Sequence, residues 1–172
     1  MGSLRTAAAL ASAVLALALS VAADAAVDDA CKAVPAGDKR IDLQACVSHL
    51  TSHPDSPGAD TWGLAKVAAL VGVNNADLAA ADIKKAGAGA GGLAQCAKLY
   101  TSVRLAFAGA KDEIDKRAYD AGKQRLAEAM SLTQQCSAAF AKGNVPPPLA
   151  QRNANSVQIA MIATALTDEL IN

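Results

Sequence analysis

Apolar and polar positions alternate along most of this chain with a helical period. From Trp62 to Lys85 the apolar positions are Leu64, Val67, Val71, Leu78 and Ala81, with gaps of three, four and seven. Lys66, Asn74, Asp77 and Lys84 gather on another side. That spacing predicts an amphipathic helix, with Asp60 or Thr61 as its N-cap. Gly72 weakens its middle by about 1 kcal/mol relative to Ala. From Leu93 to Ile114 the stripe is Cys96, Leu99, Tyr100, Val103, Phe107, Ala110 and Ile114, a close match to i, i+3, i+4, i+7. Asp112 to Arg117 reads as a charged break. Tyr119, Gly122, Leu126, Ala129, Thr133, Cys136 and Phe140 form the next stripe, ended by Lys142-Gly143-Asn144, a base followed by Gly at a helix C-terminus. Pro146, Pro147 and Pro148 are expected to exclude helix. Leu149, Ser156, Ile159, Ala163, Leu166 and Leu170 form the last stripe.

Four long amphipathic segments joined by short breaks predict an all-α, up-down four-helix bundle. No period-two alternation argues for a strand. Ahead of the bundle, Val27 to Ala33 and Ile41 to Leu50 read as two short helices separated by Pro35, Gly37 and Asp38,. Residues 54–60, Pro-Asp-Ser-Pro-Gly-Ala-Asp, read as a loop,.

Composition agrees. Hydrophobic residues make up 52% of the chain and aromatics only 3%, so the apolar content is Ala, Leu, Val and Ile, and Ala with Leu favours helix. The abundant Ala and Gly let helix axes approach closely. The formal net charge is zero, which gives no basic field for nucleic acid or an acidic membrane. The N-terminus carries Arg5, an apolar run from Ala7 to Val21 and the small residues Ala23 and Ala25, the layout of a cleaved signal peptide. The run is shorter than the ~20 residues of a spanning helix. A signal peptide over 1–25 and one mature domain over 26–172 are therefore expected, with a secreted, extracellular product and no membrane attachment after cleavage.

Four cysteines follow: Cys31, Cys46, Cys96 and Cys136. An even count in a secreted chain implies disulfides. Four cysteines allow three pairings. A bond from Cys31 to Cys46 would tie the short helices into a hairpin, and Cys96 and Cys136 both lie on the apolar stripes of neighbouring helices. Zinc is disfavoured, since there is no Cys-x-x-Cys or His-x-x-x-His and both histidines, His49 and His53, follow Cys46 closely,.

Nothing assembles an active site. Gly87, Gly89 and Gly92 match Gly-x-Gly-x-x-Gly, but a dinucleotide fingerprint follows a strand, and here a helix precedes it; a linker is expected. There is no nucleophile elbow or P-loop. His49 and His53, beside Asp55 and Ser56, are expected on a surface loop. Asp28-Asp29 and Asp112-Glu113 are adjacent and so do not face each other on a helix. No catalysis, cofactor or metal is expected.

One constellation is specific. Cys31-Lys32, Cys46-Val47, Gly63-Leu64-Ala65 and Cys96-x-x-Leu99-Tyr100 resemble the plant invertase and pectin methylesterase inhibitor family. So do Cys136-x-x-x-Phe140-x-Lys142-Gly143, Pro148-Leu149-x-x-Arg152-Asn153 and Ile159-Ala160-x-Ile162. The wide first cysteine spacing and Asp60-Thr61-Trp62-Gly63-Leu64 are similar to the branch that includes the plane-tree pollen allergen. The resemblance implies a four-helix bundle with an N-terminal helical hairpin and disulfides in first–second and third–fourth order, Cys31–Cys46 and Cys96–Cys136. It also implies one-to-one docking on a cell-wall enzyme. The exposed sides of the helices over 62–85 and 93–114 are the expected docking surface, with Lys66, Asn74, Asp77 and Lys84 as one such side. Some invertase inhibitors of the family carry Pro-Lys-Phe where this chain has Tyr119-Asp120-Ala121, a reversed charge without the ring, which favours pectin methylesterase over cell-wall or vacuolar invertase as target. A small-ligand carrier is the competing class, disfavoured by stripes that look closely packed. A second copy joined through the N-terminal hairpin is a further expected partner.

Overall fold

The computed structural model describes residues 26–34, 38–87, 91–140 and 147–171. The expected signal peptide over 1–25 lies outside them, as do the middle of the glycine linker and the Lys142-Gly143-Asn144 stop. Among the described residues there are six helices and no strand: α1 (26–34), α2 (Leu43–Thr51), α3 (Thr61–Lys85), α4 (Gly91–Asp115), α5 (Tyr119–Ala138) and α6 (Pro147–Asp168). α3 packs against α4 and α6, α4 against α5, and α5 against α6, which closes the four long helices into an up-down ring. α2 touches α3 and α6. Val27, Val34, Ile41 and Leu50 of the α1–α2 hairpin are buried against this chain's own bundle.

Local chemistry sets the helix ends. The Asp42 carboxylate accepts the Ala45 N–H at 2.7 Å, and that of Asp60 accepts the Gly63 N–H at 2.8 Å, so α2 and α3 begin on side-chain caps. α3 ends at Lys85, with Ala86 as its C-cap and Gly87 at φ +82°, the left-handed position glycine fills without strain,. α4 runs through most of the expected charged break and stops in a Schellman turn. There the Ala118 N–H donates to the Glu113 carbonyl and the Arg117 N–H to that of Ile114, with Arg117 at φ +62°,. α5 stops at Ala138, ahead of the expected Lys-Gly-Asn signal.

Two sequence expectations are corrected. The prolines do not exclude helix, because α6 begins at Pro147. Proline is favoured in a first turn, where its missing N–H would have no partner anyway. Leu78 and Ala81 do not line the α3 stripe. Both are exposed, while Asn75, Ala76, Ala79 and Ile83 are buried. The stripe passes through a polar residue at position 75, so a hydrophobic count steps over the true core position and lands on Leu78.

Asn75 is buried because it is satisfied. Its Nδ2 donates to the Ser156 hydroxyl at 2.8 Å and to the Arg152 carbonyl at 2.9 Å. A few ångströms on, the Tyr100 hydroxyl donates to Asn153 Oδ1 at 2.6 Å, and Asn153 Nδ2 donates to the Ser137 hydroxyl at 2.7 Å. Burial pushes the Tyr100 phenol up to about 12, so it remains a neutral donor,. This polar seam joins α6 to α3, α4 and α5. No buried side-chain N or O atom among the described residues lacks a partner. The Cys96–Cys136 disulfide, with Cα atoms 4.8 Å apart, lies beside the seam, and Cys31–Cys46, at 5.7 Å, closes the hairpin.

Gly72 of α3 packs directly against Phe107 of α4. A Cβ there would sit 2.3 Å from the Phe107 ring, which is fully buried. Gly72→Ala gains about 1 kcal/mol of helix propensity but overpacks the core at a cost of about 1–3 kcal/mol. The expected net is a loss near 1 kcal/mol, read as a fall in melting temperature of roughly 3 °C; a rise would contradict this packing.

The two disulfides also differ in reach, closing sequence separations of 40 and 15 residues. The chain-entropy model gives roughly 4 kcal/mol for the long loop and roughly 3 for the short one. Replacing the Cys96 and Cys136 pair by alanine should lower the urea midpoint more than replacing Cys31 and Cys46. The reverse order would show that the hairpin staple governs the fold.

Candidate docking face

The outward edge between α3 and α4 carries the charge that the sequence pattern singled out. Lys66 Nζ lies 2.9 Å from Asp115 Oδ1, and Arg104 Nε lies 2.9 Å from Asp77 Oδ1. Two of the four expected docking residues, Lys66 and Asp77, are therefore engaged in ion pairs that cross from α3 to α4. Asn74 and Lys84 are exposed on α3. Lys66, Asp77 and Lys84 share one side of the helix, eleven and seven residues apart; Asn74 lies farther round toward α6. Pairs this exposed contribute little to stability, typically below about 1 kcal/mol. What they do is hold long side chains in fixed positions.

At one end of this edge Trp62, the only tryptophan, is half-buried. Its indole N–H donates to the Ile114 carbonyl at 2.9 Å. Lys66 Nζ lies 3.3 Å from the ring centroid and the Arg117 guanidinium 5.0 Å, both within cation–π range. Arg117 also donates to the Tyr119 hydroxyl at 3.3 Å. These contacts hold Arg117 at its positive φ, a conformation that costs a non-glycine residue of order 1–3 kcal/mol. Sequence reasoning missed Arg104, Asp115 and Arg117 as partners of Asp77, Lys66 and Trp62, because the members of each of these pairs are distant in sequence and lie on different helices or turns.

Tyr119, Asp120 and Ala121 form the first turn of α5, lining a shallow depression of about 330 Å³ with Arg117, Ala118 and Ile171. The histidines stand apart from the α3–α4 edge. His53 is in the loop after α2, as expected, but His49 lies within α2 and is partly buried, which lowers its pKa; it is not a loop residue. Among the described residues there is no group of three or more His, Cys, Asp or Glu side chains fit to hold a metal. Four other depressions, about 320–460 Å³, are open to solvent between helices rather than enclosed chambers. Only α3 among the described helices has the length and apolar content of a membrane span, and much of it is buried in the bundle.

The Asp115 carboxyl is held below its ordinary value, chiefly by the hydrogen bond from Lys66 and further by the charges of Lys66 and Lys111. A depressed carboxyl contributes stability that is present above its unfolded value and is lost as pH falls through the lowered one. The pair is therefore intact at mildly acidic pH. Lys66→Met should move the Asp115 titration, followed by NMR of its side chain, to higher pH. An unmoved midpoint would mean that Lys66 does not hold this carboxylate.

Comparison with known proteins gives a consistent picture. The family model described as "Plant invertase/pectin methylesterase inhibitor" matches residues 25–166. "Pectinesterase inhibitor 12" of Oryza sativa subsp. japonica is 52% identical over 168 residues, covering 90% of this chain and 81% of the relative. "Pectinesterase inhibitor 8" of the same organism is 48% identical over 158 residues, covering 88% and 86%. Among solved structures, a pectin methylesterase inhibitor from Arabidopsis thaliana superposes with a TM-score of 0.61 over 77% of this chain and 91% of the other. At 14% identity that likeness speaks for the fold alone.

Proposed function

The chain belongs to the plant invertase/pectin methylesterase inhibitor family, and on that premise we propose that it is a secreted inhibitor of a pectin methylesterase. The observation that carries this reading is the similarity to two rice pectinesterase inhibitors, near 50% identical over most of both chains. The family consists of proteins that inhibit enzymes, and the site geometry calls for no chemistry of its own.

The mechanism we infer is steric. One inhibitor docks on one esterase and covers its polysaccharide cleft with the α3–α4 edge, using Lys66, Asp77 and Lys84 together with Arg104 and Trp62, with Asn74 at the margin on the adjoining side of α3. Ion pairs and ring contacts already fix several of these side chains, so docking orders little that is not already ordered. An interface of standard size, on the order of 1,600 Å², fits such an edge. Two disulfides suit an oxidising extracellular compartment, which supports action in the cell wall. The open grooves offer a small-ligand carrier no enclosed chamber among the described residues.

The test is to titrate the purified mature chain against a plant pectin methylesterase and a cell-wall invertase at mildly acidic pH. Stoichiometric loss of esterase activity with the invertase untouched is expected. The opposite pattern would reassign the target, and no effect on either enzyme would overturn the inhibitor reading.

A further inference from the structure

The zero net charge of this chain conceals an uneven distribution of charge along the bundle. Between Ile83 and Lys111, and again between Ala129 and Thr167, the sequence contains no Asp or Glu. The bundle end where α3 and α5 finish and α4 and α6 begin is built from these stretches. The nearest carboxylates on α3, Asp77 and Asp82, are both neutralised, by Arg104 and by Arg152, each at 2.9 Å. Lys84, Lys85 and Lys98 remain exposed at this end with no carboxylate partner among the described residues. The opposite end carries both signs, Asp112, Glu113, Asp115, Asp120, Asp168 and Glu169 against Lys66, Lys111, Lys116, Arg117 and Lys123, most of them in ion pairs, and the hairpin seats there, its Asp29 sharing a groove with Glu169. Among the described residues, nothing of the hairpin covers the basic end.

A helix C-terminus favours lysine in its last turn, which accounts for Lys84 and Lys85 one at a time. It does not account for two long acid-free stretches that meet at one end. We propose that this end binds an anionic polysaccharide, a polymer of uronic acid residues with free carboxylates, and so holds the inhibitor on the polymer where its target works. The inference rests on the inhibitor reading, because hydrolysis of methyl esters on such a polymer leaves a free carboxylate at each site cleaved. The residue types favour a polymer over a protein partner. Protein interfaces are enriched in arginine and depleted in lysine, and both arginines near this end are committed to internal pairs. What is left is lysine, a flexible point charge suited to a mobile chain of carboxylates rather than to one fixed group.

The probe is polygalacturonate on a surface, with fully methyl-esterified galacturonan as the uncharged control and no esterase present. The mature chain should bind the acidic polymer at low salt, ignore the esterified one, and release as salt shortens the Debye length toward about 3 Å at 1 M. Lys85→Glu with Lys98→Glu should weaken binding about tenfold or more. Lys39→Glu with Lys116→Glu changes net charge equally, at the hairpin and at the opposite end, and should weaken it far less. Equal loss in both variants, equal binding to both polymers, or no binding by the parent chain would overturn the proposal. So would a Lys85/Lys98 variant that holds the polymer but loses the esterase, since the end would then be a protein-docking site. Inhibition assayed on a small soluble ester is a separate reading: a chain that binds the polymer without inhibiting would remove the inhibitor function and leave this one standing.

Discussion

The arrangement of this molecule depends on the burial of polar side chains along α6. Asn153 and Ser156 lie in the interior of the bundle, where an unpaired amide or hydroxyl would cost of order 1–3 kcal/mol,. Each is paired only when Asn75 of α3, Tyr100 of α4 and Ser137 of α5 are at the right height. Apolar contacts among Ala, Leu and Ile are tolerant of sliding by a residue; these hydrogen bonds are not. The seam thus selects one register for four helices whose apolar faces alone would accept several. Arg152 adds an outer clamp, meeting Asp82 at 2.9 Å between α6 and α3.

The proposed docking edge follows from that register. With α3 and α4 fixed in height, Lys66 meets Asp115 and Asp77 meets Arg104, and the Trp62 ring fills the step between α3 and the end of α4. Inhibition by occlusion asks for a surface already in its bound shape, because ordering long charged side chains on association weakens binding. The long disulfide acts in the same sense, joining the start of α4 to the end of α5. Gly72 and Gly122 permit the close approach, with Phe107 and Ile114 occupying the space where a Cβ would stand.

Much of this was legible in the sequence, for a physical reason. A helix packed on two neighbours needs a wide apolar stripe, and the α4 residues Cys96, Tyr100, Val103, Phe107, Ala110 and Ile114 are buried as their spacing predicts. The cysteine order within the family resemblance pointed to the hairpin. What stayed hidden was of two kinds. Asn75 is a core residue with a polar side chain, and only its distant partners make it one. Pro147 reads as a helix breaker unless it is known to stand in the first turn. The candidate site was less legible than the fold. Lys66 and Asp77 could be placed on one side of a helix, but the ion pairs that fix them join residues 49 and 27 positions apart, and no periodicity reports contacts of that range.

The central claim is that one cooperative bundle, registered by the α6 seam, presents a preformed face to the esterase. Native-state hydrogen exchange, recorded on the free chain and on its mixture with a pectin methylesterase, tests it most directly. In the free chain the central amides of α3, α4, α5 and α6 should exchange together, through global unfolding. On mixing, protection should rise along α3 and α4 and fall nowhere. An α6 that opens well below the global free energy, or helices that lose protection on mixing, would contradict the account.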